Sequence, residues 1–168
     1  MTGTEELQVQ SLQDELEDCK AHNRALTILA GEVSMILDEM AKTDEAKSIC
    51  RIMGKDAGKR LGKSTKAHFG AIAKVEEALD LLLYHTELLR GYNIEIDHIE
   101  NGTIYINVLS CFVRDILKDR KLLTASPLCS ITRGYLEGAL KELTGKNVNV
   151  EIAYGDVDGV CREKIIIK

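Results

Sequence analysis

Residues 129–168 constrain the fold more than any other part of the chain: CSITRGYLEGALKELTGKNVNVEIAYGDVDGVCREKIIIK. A helix opens after Cys129 and gathers Tyr135, Leu136, Ala139, Leu140 and Leu143 on one apolar face. Val148, Val150, Ile152 and Tyr154 then alternate with Asn149, Glu151 and Ala153, the period of a strand with one buried side. Gly155, Asp156, Asp158 and Gly159 supply turn chemistry, and residues 160–168 return as a second strand carrying Cys161. Strands joined so briefly run antiparallel.

A second hairpin lies upstream. Residues 92–99 and 103–109 alternate around Asn101-Gly102, a pair that tolerates positive φ at both turn positions. Ile94 and Ile96 are expected to share an inward face with Ile104, Ile106 and Val108. A helix over 69–89, with Ile72, Val75, Ala78, Leu79, Leu82 and Leu83 on its apolar side, precedes this hairpin and stops at Gly91. A helix over 111–118 follows it, carrying Phe112, Val113, Ile116 and Leu117, and Pro127 stands in the loop beyond. Residues 43–64 also read as helix, capped by Thr43 or Asp44. There Gly54, Gly58 and Gly62 recur every fourth residue, and each costs about 1 kcal/mol against alanine. Such a row predicts close approach of a neighbouring helix or a ligand. The whole is α+β: an antiparallel four-stranded sheet of two hairpins, packed with helices on one side.

Before this domain runs a long helix. Val9, Leu12, Leu16, Cys19, Asn23, Leu26, Ala30, Val33, Leu37 and Met40 repeat at spacings of three and four, a heptad seam. Asn23 takes an a position, where a buried polar residue sets register, and Glu15 and Lys20 can pair across a parallel dimer. Ile28, Leu29 and Ile36 widen the stripe, which predicts packing on the chain's own domain around residues 26–40. The expected division is residues 1–42 as a dimerisation helix and 43–168 as the globular domain.

Composition excludes several functions. A formal charge of −5 disfavours phosphate-backbone binding, and the absence of Trp disfavours base-stacking platforms. No run reaches the roughly 18 apolar residues of a membrane span. The acidic start lacks the form of a signal peptide, so the chain reads as cytoplasmic. Its five cysteines have no CxxC pair and read as thiols or metal ligands. Residues Ala57-Gly58-Lys59-Arg60-Leu61-Gly62-Lys63-Ser64 satisfy a relaxed Walker A pattern. Helical periodicity precedes them where a P-loop needs a strand, so they are read as a helix with a basic, solvated face.

The Cys–helix–strand–acid–strand–Cys order of residues 129–161 resembles the 4-vinyl reductase domain family, whose fold is shared by subunits of the TRAPP vesicle-tethering complex. With Cys111-Phe112 and the glycine-rich helix included, the resemblance spans residues 43–168. It implies a small-molecule-binding module, often a sensor. It also implies a zinc set of Cys129, Glu151 and Cys161, with Tyr154 standing where the family has a further cysteine. Three ligands leave a zinc site open, and buried thiols are the competing reading. His22, His68, His85 and His98 have no ligand spacing. There is no GxSxG elbow and no acid–base pair, so no catalytic residue is assigned and the chain is read as a non-enzyme.

The resulting expectation is a homodimeric sensor or regulatory module for a small hydrophobic or aromatic ligand. Inward pattern and resemblance together place Phe69, Ile72, Ile106, Val108, Phe112, Tyr135 and Tyr154 around its pocket. The alternatives are a TRAPP-like assembly subunit, a thiol- or zinc-based redox regulator and, as the family resemblance implies, a reductase of tetrapyrrole chemistry.

Overall fold

The computed structural model describes residues 3–40, 44–85, 92–121, 126–155 and 159–168. Thr43, Gly91, Asp156 and Asp158, assigned to caps and turns above, lie outside them. The elements are α1 (Gly3–Met40), α2 (Asp44–Phe69), α3 (Val75–His85), β1 (Tyr92–Glu100), β2 (Thr103–Cys111), α4 (Phe112–Asp119), α5 (Pro127–Thr144), β3 (Val148–Tyr154) and β4 (Cys161–Ile167). The α+β architecture expected from the sequence is the one observed.

The four strands form one antiparallel sheet in the order β1-β2-β4-β3. Ile94 lies opposite Val108 and Ile96 opposite Ile106, as the alternation predicts. Ile165 lies between Ile104 and Val150, which continues the inward row across both hairpins. That face is covered by Leu136, Ala139, Leu140 and Leu143 of α5, Val75, Leu79 and Leu82 of α3, and Val113, Ile116 and Leu117 of α4. Full burial of each large side chain contributes about 1.5–3 kcal/mol. The other face is polar: Asn107 donates to Glu95 at 3.1 Å and Lys164 pairs with Glu151 at 2.9 Å. One buried and one solvated face is the usual economy of an antiparallel sheet. Asn101 and Gly102 adopt φ of 49° and 75°, the positive values that their turn requires.

Three boundaries differ from the sequence reading, each for a local reason. The helix expected over 69–89 is split, because Phe69 ends α2 and Gly70 turns the chain at φ 81°. The Gly70 N–H donates to Lys66 O at 2.8 Å, closing α2. Ile72 therefore lies in the connection, its N–H donating to Leu143 O at 3.1 Å. Cys111 belongs to β2 instead of opening α4. Pro127 is the first residue of α5 and no part of a loop, since its fixed φ suits the first helical turn and its missing N–H would be unpaired there.

Helices α2 and α5 run parallel with their backbones in contact. Gly54, Gly58 and Gly62 face the carbonyls of Ile131, Tyr135 and Ala139, while Gly134 and Gly138 face those of Arg51 and Lys55. Even the roomiest of these, Gly62, would put an added Cβ 2.8 Å from Ala139 O. The neighbour predicted by the glycine row is thus a helix with glycines of its own. Beside this seam Glu137, 2% exposed, accepts from Arg51, from Lys55 at 3.1 Å and from the Val150 N–H at 2.7 Å. Arg51 also donates to Asn149 Oδ1 and Val150 O, both at 2.8 Å. Burial alone would raise the Glu137 carboxyl, but these bonds outweigh it and hold the group below its usual value. One carboxylate ties α2, α5 and β3 together.

The last third of α1 touches the domain. Gly31 lies against the Arg120 guanidinium, Glu32 pairs with Arg120 at 2.9 Å, and Ala30 packs on the core. Val9, Leu12, Leu16 and Leu26 of the heptad seam are exposed on the single chain.

Gly58→Ala tests the seam by sign. An exposed helical glycine gains about 1 kcal/mol from this change. Here the methyl overlaps the Tyr135 carbonyl, and overpacking costs typically 1–3 kcal/mol or more. Urea denaturation should show a net loss of roughly 2 kcal/mol, whereas a gain would mean that the helices do not touch.

Candidate functional site

A cavity of about 240 Å³ opens between α2, β1, α4 and α5. Its walls are almost wholly apolar: Ala57, Tyr92, Phe112, Ile131, Tyr135 and Leu136, with Thr132 beside them. The glycine seam explains where it lies. Backbone contact at Gly54 and Gly58 draws α2 against α5, and Ala57, short and half-buried, leaves room on the adjacent turn. Tyr92 begins β1 on its inward face, and Phe112 begins α4 at the rim, 49% exposed.

The polar atoms around this cavity are few. Thr132 Oγ1 donates to Cys129 O at 3.0 Å, and Tyr92 O–H donates to Glu163 at 3.4 Å. The Tyr135 hydroxyl is buried and has no partner among the described residues. An unsatisfied buried hydroxyl costs about 1–3 kcal/mol.

Behind Tyr92 lies a buried acid among thiols. Glu163 is 5% exposed on the inward face of β4, and burial raises its carboxyl to about 7 against the opposing pull of Arg133, the Tyr92 hydroxyl and Arg51. Burial likewise pushes Cys111 up to about 11 and Cys129 up to about 12, with a smaller push from their neighbours Glu163 and Cys161. Tyr92 is raised well above its ordinary value, by burial first and by Glu163 next. Cys111 and Cys129 are therefore neutral thiols at neutral pH, a poor state for nucleophilic attack.

Of the seven residues expected around a pocket, Phe112 and Tyr135 meet at this cavity. Ile106 and Val108 are fully buried core on β2. Ile72 packs at the edge of the core in the α2–α3 connection, and Phe69, 54% exposed, lies at the end of α2. Tyr154 is 58% exposed, because a register shift between Ile152 and Tyr154 takes it off the inward row. Sequence reasoning missed Ala57, Tyr92, Ile131, Thr132 and Leu136 as cavity walls, and Glu163 behind them. For Glu163 there was a signal: it alternates with Cys161 and Ile165 and so is an acid at an inward position.

The zinc set does not converge. Cys129 and Cys161 lie within electrostatic reach of each other and of Cys111. Glu151, by contrast, stands opposite Lys164 on the outward face, paired with it at 2.9 Å and accepting from Asn149 at 2.7 Å. The register separates the carboxylate from the thiols by a whole sheet face. Among the described residues, no three His, Cys, Asp or Glu side chains are placed to hold one ion. The Walker-like residues 57–64 lie inside continuous α2, with no loop to cradle a phosphate. His22 and His68 contact carbonyls one turn back on their own helices, and His98 stacks on Tyr105 at 4.2 Å.

No protein-family model matches the chain, and no curated protein is significantly similar to it in sequence. Solved structures do share its fold. A trafficking protein particle complex subunit 3 from Naegleria fowleri, covalently bound to palmitic acid, aligns with a TM-score of 0.63 at 16% identity, over 89% of this chain and 96% of that one. The phenol-responsive sensory domain of the transcription activator PoxR, with phenol, aligns with a TM-score of 0.58 at 18% identity, over 84% and 72%. At such identities the likeness is one of fold. It agrees with the TRAPP-like part of the resemblance drawn from residues 43–168. No helix among the described residues is long and apolar enough to cross a membrane.

Glu163 gives a pH prediction with a definite sign. A carboxyl raised from 4.5 to about 7 on folding holds a proton in the native state that the unfolded chain has released. Its contribution is fully present below the unfolded value and is lost as pH rises through about 7. The loss amounts to roughly 3 kcal/mol. Glu163→Gln, which keeps an acceptor for Tyr92, should remove this slope and be more stable than wild type at about pH 8. Denaturation of both proteins across pH checks it; parallel curves would show that Glu163 titrates normally.

Proposed function

We propose that this chain is a small-molecule-binding regulatory module of the cytoplasm, taking a hydrophobic or aromatic ligand, acting as a homodimer and performing no catalysis. The observation that carries this reading is the apolar cavity beside the unpartnered Tyr135 hydroxyl. An apolar cavity of about 150 Å³ can hold benzene, so the volume here suits a single ring with a small substituent. A fold shared with a domain solved with phenol and a subunit solved with palmitic acid supports the same reading.

The output passes through residues 1–42, with residues 43–168 as the ligand-binding domain. Leu12, Leu16 and Leu26 present an uncovered heptad stripe, and Glu15 and Lys20 complement one another across a parallel pair. Helix α4 begins at Phe112 on the cavity rim and is followed directly by Arg120, which holds Glu32. A ligand that favours one position of Phe112 thereby biases the seat of α1.

A second reading, a TRAPP-like assembly subunit, is favoured by Ile49, Ile52 and Met53. They are 54%, 66% and 61% exposed on α2, outside the heptad stripe. Exposed apolar patches of this kind mark protein contacts.

Toluene at about a hundred times its Kd should stabilise the wild type by about 2.7 kcal/mol. Ala57→Leu, which fills the cavity, should lose this effect and still fold. If neither toluene nor phenol raises the Tm, and native mass spectrometry finds no retained small molecule, the assembly reading takes precedence. Leu16→Asp should convert a dimer to a monomer in light scattering without loss of the globular domain's Tm. A monomeric wild type would remove the dimer from the proposal.

A further inference from the structure

On the side of α5 away from the apolar cavity, a groove of about 460 Å³ runs between α2 and the α5–β3 connection. Lys55, Lys59, Lys66 and Lys141 line it, together with Asn147. In a chain of formal charge −5 this is a local reversal of sign. The acids among its described lining residues are Glu137 and Glu142, and Glu137 is already bound by Arg51, Lys55 and the Val150 N–H.

Ordinary structural duties account for only part of this lysine set. Lys66 Nζ donates to Glu142 O at 3.2 Å, which answers the exposed carbonyls at the end of α5. Lys55 pairs with Glu137. Lys59 and Lys141 have no ion pair among the described residues, although each lines the same concave surface. Lys59 is in the middle of α2, away from the last turn where a cation would answer the helix dipole. The glycine seam holds α2 and α5 too close to slide apart, so the lysines of both helices are fixed along one groove.

We propose that this groove binds a phosphate-bearing anion of two or more charges through Lys59 and Lys141, with Lys55, Lys66 and Asn147 around them. Ammonium groups act as point charges toward phosphate. The volume is within the range of small-molecule sites. The anion is a soluble phosphate ester or the exposed headgroup of a phosphomonoester lipid; both offer the same charged group. The site is separate from the apolar cavity, and its occupancy does not depend on that cavity's ligand.

The test uses the full chain at about 0.15 M salt, where the Debye length is about 8 Å, titrated with pyrophosphate by calorimetry and, separately, floated with phosphatidylcholine vesicles with and without phosphatidic acid. Saturable binding in the first arm assigns a soluble ester, and binding to the phosphatidic acid vesicles alone assigns a lipid headgroup. In either arm, Lys59→Gln with Lys141→Gln should weaken binding about tenfold or more. The charge-matched pair Lys47→Gln with Lys121→Gln, outside the groove, should leave it within about twofold. All four side chains are solvent-accessible, and circular dichroism checks that each variant is folded. Three outcomes overturn the proposal: no saturable binding in either arm, an unaffected groove variant, or an equal loss in the control pair.

Discussion

Backbone contact between α2 and α5 is the constraint on which the other features rest. Glycines on both helices remove the side chains that would hold the axes at the usual 8–10 Å, and the carbonyls of one helix sit where the other has no Cβ. Packed so closely, α2 contributes little to the hydrophobic core: its buried positions are Ala46, Cys50, the three glycines and Thr65. It still matters for the sheet, because Arg51 reaches past α5 to the Val150 carbonyl of β3. The two grooves are its consequence. One lies on each side of the seam, apolar where Ala57 faces Tyr92 and basic where Lys59 accompanies Lys141.

The apolar cavity and the acid behind it form one polarity gradient. Its rim is Phe112, half exposed; its wall includes Tyr135, whose hydroxyl is buried; behind Tyr92 lie Glu163 and the thiols of Cys111 and Cys129. A carboxyl so deeply placed is held near neutrality by burial, and its contact with Tyr92 links the protonation state of the core to a residue that any occupant of the cavity would touch.

The sheet was legible because its signals are local. Alternation gives the face of each strand, and Asn-Gly gives the turn, so the pairing of Ile96 with Ile106 could be read directly. The glycine row on α2 was legible as a close approach, since three helical glycines need a reason. Its complement at Gly134 and Gly138 repeats the same four-residue interval and passed unnoticed within the apolar face of α5. The candidate site was much less legible. Cavity walls and core share one hydrophobic pattern, so Ile106 and Val108 could not be told from Phe112 and Tyr135 by period alone. Glu151 and Tyr154 failed for a different reason: the first depended on inter-strand register and the second on a shift within β3, neither of which a single strand's sequence encodes.

The regularity of the glycine seam has a drawback that Glu137 removes. A surface repeating every fourth residue is nearly self-similar under a slip of one repeat, about 6 Å along the axis. Van der Waals contact alone would then leave two neighbouring alignments of α2 on α5 close in energy. Glu137 and Arg51 do not repeat. A slip of one repeat would bring Lys47 or Lys55 to the place of Arg51, but a single ammonium does not reproduce the planar guanidinium's simultaneous bonds to Glu137, Asn149 Oδ1 and the Val150 carbonyl, which exist in one alignment. The glycines make the helices adhere, and the buried ion pair tells them where to stop.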